Sequence, residues 1–180
     1  IQAKETKNAS RTFVLELSSF QLDDIQQFRP KIAMLLNITP DHLDRYDYKL
    51  ENYARSKFRV TLNQQRGDKF IYNGYDPEVM RGLTTFRRLT TNNEGSDPKN
   101  NEPRPIAIRK GFYKNGQIKV GAHLFDMTKS ALRGPHNMFN AVCAIRAALL
   151  LKAEPARIQE GLNTFTPPRH RLEKIAVIEG

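Results

Sequence analysis

The sequence predicts an α/β fold: a mostly parallel sheet flanked by helices, with a small antiparallel β elaboration. Three observations predict it. Residues 12–17 (Thr-Phe-Val-Leu-Glu-Leu) and 31–36 (Lys-Ile-Ala-Met-Leu-Leu) are short, nearly continuous apolar runs of the kind that form strands buried on both faces. Stretches with helical spacing lie between and after such runs. Four brief runs between residues 106 and 125 are separated by Gly and Asn-Gly turns, the pattern of an antiparallel meander.

The elements follow in order. Residues 12–17 predict the first strand, and residues 21–28 leave room for a short helix that Pro30 would close. Residues 31–36 predict the second strand. Across residues 50–62, Tyr53, Ala54, Phe58, Thr61 and Leu62 recur at helical spacing. Residues 69–72 predict a strand, and Asp76-Pro77 the start of a helix, with Asp as N-cap and Pro at the first position. Residues 91–103 contain no apolar side chain and predict a surface loop. The meander follows at 106–108, 111–113, 117–120 and 123–125, so residues 66–130 read as an elaboration on the α/β core. Residues 137–151, apolar almost all round, predict a buried helix with Asn137 as a candidate N-cap. A helix over 155–165 and an alternating strand over 172–178 complete the chain, which reads as one domain.

Composition narrows the function. The 180 residues carry 29 Lys plus Arg against 19 Asp plus Glu, a net charge of +10, distributed by thirds as +2, +5 and +3. No basic tract stands out, so specific nucleic-acid binding finds no support, whereas a diffuse basic surface attracts phosphorylated small molecules. No apolar run spans a bilayer and no apolar signal core is present, which reads as cytoplasmic. The lone Cys143 has no internal disulfide partner and reads as core packing.

Five places could carry chemistry. Glu16, near the end of an apolar run, is either a metal-bound carboxylate or half of a salt bridge. Asp41, His42 and Asp44 converge in one segment after the second strand; they suit a divalent ion with open positions, or else Asp41 caps a helix and His42 packs. Lys57 lies on an apolar helix face, available as a neutral amine or snorkelling to water. Asn140 lies one turn after Asn137 and needs a partner, protein or ligand. Arg171, in Arg169-His-Arg171, could grip a phosphate or form a solvated basic turn.

The strings Glu16-Leu-Ser-Ser-Phe-Gln-Leu22, Asn37-Ile-Thr-Pro-Asp-His-Leu-Asp-Arg-Tyr46, Tyr53-Ala-Arg-Ser-Lys57, Gly134-Pro-His-Asn-Met-Phe-Asn-Ala141 and Pro168-Arg-His-Arg-Leu-Glu173 occur in the order found in the Mur ligase family, which the chain resembles. The first string resembles the branch that adds D-glutamate. The resemblance implies an ATP-dependent amide-bond-forming ligase of peptidoglycan precursor synthesis, and the P-loop-type central domain of that family. Its partners would be ATP, UDP-N-acetylmuramoyl-L-alanine and D-glutamate, its cofactor Mg2+, and its state a monomer. A carboxylate would be phosphorylated by ATP and the D-glutamate amine would attack the acyl phosphate. The resemblance implies that Glu16 ligates magnesium, that His42 is the second-site metal ligand beside the nucleotide-sugar substrate, and that Lys57 is carbamylated into an oxygen ligand. It makes Ser19 a substrate neighbour, Asn140 an adenine contact and Arg171 a phosphate-binding arginine.

The family's Gly-x-x-x-x-Gly-Lys-Ser/Thr loop is missing from these 180 residues. The expectation is therefore an incomplete central ATP-binding domain, with the loop upstream of Ile1, the amino-acid-binding domain after Gly180, and no activity alone. Two other readings compete. A non-catalytic basic module for nucleic acid or protein is opposed by the acidic Glu16, Asp41 and Asp44. A metal-dependent hydrolase using Asp41, His42 and Asp44 lacks further His ligands at suitable spacing.

Overall fold

A computed structural model describes residues 11–86 and 103–167. A parallel sheet organises them. Strands β1 (Ile32–Leu35), β2 (Lys69–Asn73) and β3 (Arg104–Ile108) lie in the order β1-β2-β3, with Ala33 opposite Phe70 and Ile71 opposite Ile106. Between β1 and β2 run a short 3-10 turn (Leu43–Tyr46), helix α2 (Leu50–Phe58) and a second 3-10 turn (Arg59–Thr61); helix α3 (Pro77–Thr85) follows β2. Asp76 caps α3 by accepting a hydrogen bond from the Val79 amide at 2.9 Å, and Pro77 occupies the first turn, as its sequence predicts.

The alternation of side chains along the strands divides the core between the two faces of the sheet. Ala33, Leu35 and Phe70 pack with Tyr53, Ala54 and Phe58 of α2 and Val79 of α3. Ile71 and Ile108 pack on the other side, with a second, antiparallel sheet of β4 (Tyr113–Lys114), β5 (Gln117–Val120) and β6 (His123–Asp126) and with helix α4 (Gly134–Leu150). Helix α5 (Pro155–Thr164) closes that side through Ile158 and Leu162. Cys143 is buried there, and burial pushes its thiol up to about 12, so it packs rather than reacts. No described helix is long and apolar enough to cross a membrane.

Several expectations are corrected. Residues 12–17 form no strand: Phe13, Val14 and Leu15 are 79%, 85% and 60% exposed, and no described strand pairs with them. An apolar run becomes a buried strand only where neighbours supply its hydrogen-bond ladder and cover both faces, and none of the described elements does so here. The first helix, α1 (Ser19–Asp23), starts earlier than residues 21–28 because Ser18 and Gln21 form a reciprocal capping box, and it ends sooner, at Asp23. The helix expected over 50–62 is α-helical only to Phe58 and tightens into the 3-10 turn beyond it. Residues 66–130 are not an elaboration as a whole. Residues 106–108 belong to β3, which continues the parallel sheet, and only Tyr113–Asp126 make the meander. Pro105 is tolerated because β3 has a partner on one side alone among the described residues. Helix α4 begins at Gly134, so Asn137 is no N-cap; its side-chain amide donates to the Arg133 carbonyl at 2.9 Å. One face of α4 is buried, and Asn140 and Ala144 lie on the exposed one. Residues 91–102 of the expected loop and the strand expected over 172–178 lie outside the described residues.

Candidate functional site

Three of the motif segments meet where β1 gives way to its C-terminal loop. Open α/β sheets place ligands at this edge because strand ends deliver loops and helix termini there. Helix α1 follows the Glu16 segment. Ser18 caps it, accepting from the Gln21 amide at 3.3 Å while its own amide donates to Gln21 Oε1 at 2.9 Å. Three attachments then bind α1 to the segments carrying the other motifs. The Ser56 hydroxyl donates to the Ser19 carbonyl at 2.9 Å, the Tyr46 hydroxyl to Asp23 Oδ2 at 2.8 Å, and Arg59 Nε and Nη2 to the Leu22 and Ile25 carbonyls at 2.8 and 3.0 Å. The Leu22 carbonyl also accepts from the Ile25 amide, so Arg59 adds a second bond there and fastens the Ile25 carbonyl just past the helix.

His42 stands at the entry to the first 3-10 turn with φ 48 and ψ 35, a left-handed conformation unusual for a residue with a Cβ. Its ring lies 5.1 Å from that of Phe20 on α1, and Nε2 lies 3.7 Å from Asp41 Oδ2. The Arg45 guanidinium sits 4.5 Å from the Phe20 ring centre. Phe20 thus ties the His42 loop to α1. Lys57, partly exposed, places Nζ 5.0 Å from the Tyr53 ring centre, where the π face favours the cation.

The structure brings together α1 with Ser19, the His42 loop and the α2 turn carrying Lys57. It leaves other expected residues apart. Glu16 is exposed in irregular chain rather than at a strand end, without a hydrogen-bond or ion-pair partner among the described residues. Asp41, His42 and Asp44 do not converge as a triad. Asp41 approaches His42 while Asp44 enters the following turn, and no group of three His, Cys, Asp or Glu side chains placed to hold a metal occurs among the described residues. Asp41 caps no helix; His42 holds that position. Asn140 is exposed and needs no buried partner, while Arg171 lies outside the described residues. Of these groups only the exposed carboxylates are oxygen donors of the kind magnesium takes, and among the described residues they form no closed cage. Magnesium takes one or two protein carboxylates and fills its other positions with phosphate oxygens and water, needing no closed protein cage.

Sequence reasoning missed Tyr46, Ser56, Arg59 and Phe20. Ser56 carried one usable signal, a hydroxyl three positions after Tyr53 within an apolar helix stripe, where a buried polar group must find a partner.

Residues 2–148 match the Mur ligase middle domain. The UDP-N-acetylmuramoylalanine--D-glutamate ligase of Christiangramia forsetii is 43% identical over 175 residues, covering 92% of this chain and 37% of the relative. The enzymes of the same name from Salinibacter ruber and Porphyromonas gingivalis are 35% and 38% identical over 92% and 93% of the chain. The chain spans 36% to 37% of the length of these curated relatives.

Proposed function

The chain belongs to the Mur ligase family, in its middle domain, and from that premise we propose that it serves a ligase joining D-glutamate to UDP-N-acetylmuramoyl-L-alanine at the expense of ATP. The observation that carries this reading is identity of 35% to 43% with ligases of that name over more than nine-tenths of the chain. The adjacency of α1, the His42 loop and the Lys57 turn supports it, since these three segments carry the motif residues.

In this reading Glu16, His42 and a carbamylated Lys57 hold magnesium, which supplies charge neutralisation for the phosphates. Ser19 lies beside the nucleotide-sugar substrate, and Asn140 and Arg171 contact the nucleotide. The substrate carboxylate takes the terminal phosphoryl group of ATP. The D-glutamate amine then attacks the acyl carbon, loses a proton and expels phosphate. His42 fits its role because its backbone turn and Phe20 orient the imidazole while leaving its edge open. Lys57 fits its own because its amine is partly exposed and stands over the Tyr53 ring, on the turn that Ser56 fastens to α1. The enzyme works as a cytoplasmic monomer of peptidoglycan precursor synthesis.

A chimera tests the reading. Residues 1–180 replace their counterpart in the 43% identical relative, and phosphate release is measured with D-glutamate and UDP-N-acetylmuramoyl-L-alanine. Turnover within about tenfold of the parent is expected, a loss of no more than about 1.4 kcal/mol in transition-state stabilisation. A folded chimera that binds ATP yet ligates no D-glutamate overturns it.

A further inference from the structure

We propose that Tyr46 and Ser56 are positioning residues of this ligase: a buried hydroxyl pair that sets α1, and with it Ser19, against the His42 loop and the Lys57 turn. The inference rests on the ligase reading for its consequence, and on the contacts of α1 for its mechanism.

Helix α1 has five residues and cannot persist on its own, because nucleating so short a helix costs more than its few hydrogen bonds return. Its capping box secures the first turn alone. What fixes its place is therefore tertiary, and the attachments come from the other motif segments. Tyr46 stands four residues after His42, and Ser56 immediately before Lys57. Tyr46, Ser56 and Ser19 are 7%, 3% and 5% exposed, so the Ser56–Ser19 bond is shielded from water, while the Asp23 carboxylate that Tyr46 reaches is half-buried.

The protons can be counted. The Ser56 proton goes to the Ser19 carbonyl at 2.9 Å, and the Tyr46 proton to the Asp23 carboxylate at 2.8 Å. Each hydroxyl thereby holds a different end of α1. The two oxygens lie 3.3 Å apart, so a shift of α1 along its axis disturbs both bonds together. Shape alone does not need these groups. The Tyr46 ring already packs edge-on against Tyr53 at 5.3 Å and stacks beside Phe20 at 6.4 Å, and Phe would fill the same space. The hydroxyls add direction, and direction is what a reaction between two bound substrates requires, since displacing one motif segment by a fraction of an ångström lowers the rate without unfolding the domain.

The test uses the ligase carrying this chain, with Tyr46→Phe, Ser56→Ala and the double variant. Each single variant is expected to lower kcat for D-glutamate ligation about tenfold, with the KM for ATP changed less than twofold. The double variant is expected to lose little more than either single one, because the two hydroxyls act as a unit. Hydrogen exchange is expected to quicken at the amides of Ser19–Asp23 and to stay unchanged in β1 and β2. Unchanged kcat, or exchange that quickens uniformly across the sheet in step with lost activity, overturns the proposal and leaves the pair as ordinary packing. A wild-type enzyme that ligates no D-glutamate sinks the ligase reading instead, and α1 exchange in the variants still decides whether the pair holds α1.

Discussion

The two ends of the parallel sheet treat their polar groups in opposite ways. At the N-terminal ends of β1 and β2, hydrogen-bonding capacity turns inward. Asp68 accepts from Arg29 Nε at 2.7 Å and from the Gln65 amide at 2.9 Å, while its own carbonyl takes the Arg104 amide. Gln64 Nε2 donates to the Pro30 and Lys69 carbonyls, and Asn63 Nδ2 to the carbonyls of Gln26 and Phe28. One cluster of side chains thus joins the entries to three strands. At the C-terminal end of β1 the chain instead presents Asp41, His42 and Asp44 to solvent, and the inward hydrogen bonds belong to Tyr46, which holds the Asp23 carboxylate, and to Ser56 and Arg59, which hold backbone carbonyls. The contrast separates labour: one end stabilises, and the other keeps donors open for ligands.

The largest effect should fall on the residues that the ligase reading assigns to magnesium. In the ligase, Glu16→Gln keeps the side chain's shape and removes its charge. We expect turnover to fall by about 10²–10³-fold, the scale on which loss of one electrostatic contact to developing charge is felt. The midpoint of unfolding should not move, since an exposed side chain without partners contributes within about 0.5 kcal/mol. His42→Ala should follow the same pattern, with activity partly restored by added magnesium. Full turnover in Glu16→Gln would place Glu16 among ordinary surface residues and break the comparison.

The closed end should respond in reverse. Asp68→Ala strands the Gln65 amide and removes the acceptor for Arg29, which should cost about 1–3 kcal/mol by urea unfolding. kcat per folded molecule should be unchanged. A parallel check lies on α3, where Gly82 packs against the Phe58 ring and a Cβ would land inside it. Gly→Ala within a helix ordinarily stabilises; here it should destabilise by about 1–3 kcal/mol, because α3 must move off Phe58 or the ring must leave its place in the core.

These residues also mark where sequence legibility ends. β1, β2 and the start of α3 could be read because their signals are local: an apolar run of strand length, or Asp and Pro at the head of a helix. The apolar run at residues 12–17 could not, because a strand needs neighbours and the sequence does not name them. β3 was misplaced for the same reason. Its brief run after the polar segment suits a meander as well as a parallel edge, and only pairing with β2 decides. At the site, the motifs identified His42, Lys57 and Ser19, and the structure draws their segments together. Tyr46, Ser56 and Arg59 stayed hidden because a polar residue on a helix reads as solvent-facing until a carbonyl from another segment meets it. Gly82 stayed hidden because its reason is a ring contributed by α2.

The smallest effect expected is one of pH, and it sharpens the contrast by showing that the closed end carries a charge linked to folding. Burial alone would raise the Asp68 pKa, but the hydrogen bonds from Arg29 and the Gln65 amide, with the positive charges of Arg29 and Lys31, outweigh it. The carboxyl therefore titrates below its ordinary value of 3.8. A depressed folded-state pKa means that the unfolded chain takes up this proton first as pH falls. The stabilisation is complete above the unfolded value and disappears as pH drops through the folded one, so the window opens just below pH 4 and extends downward. Asp126 is lowered as well, by hydrogen bonds from the Thr128 amide and hydroxyl, so acid sensitivity of the whole domain cannot be assigned to Asp68 by itself. The comparison of wild type with Asp68→Asn isolates it. The difference in unfolding free energy between the two should be constant from pH 7 to about pH 5 and shrink below pH 4. A difference that stays constant down to pH 2 would mean that Asp68 acts through shape alone, and that charge contributes nothing to holding the strand entries together.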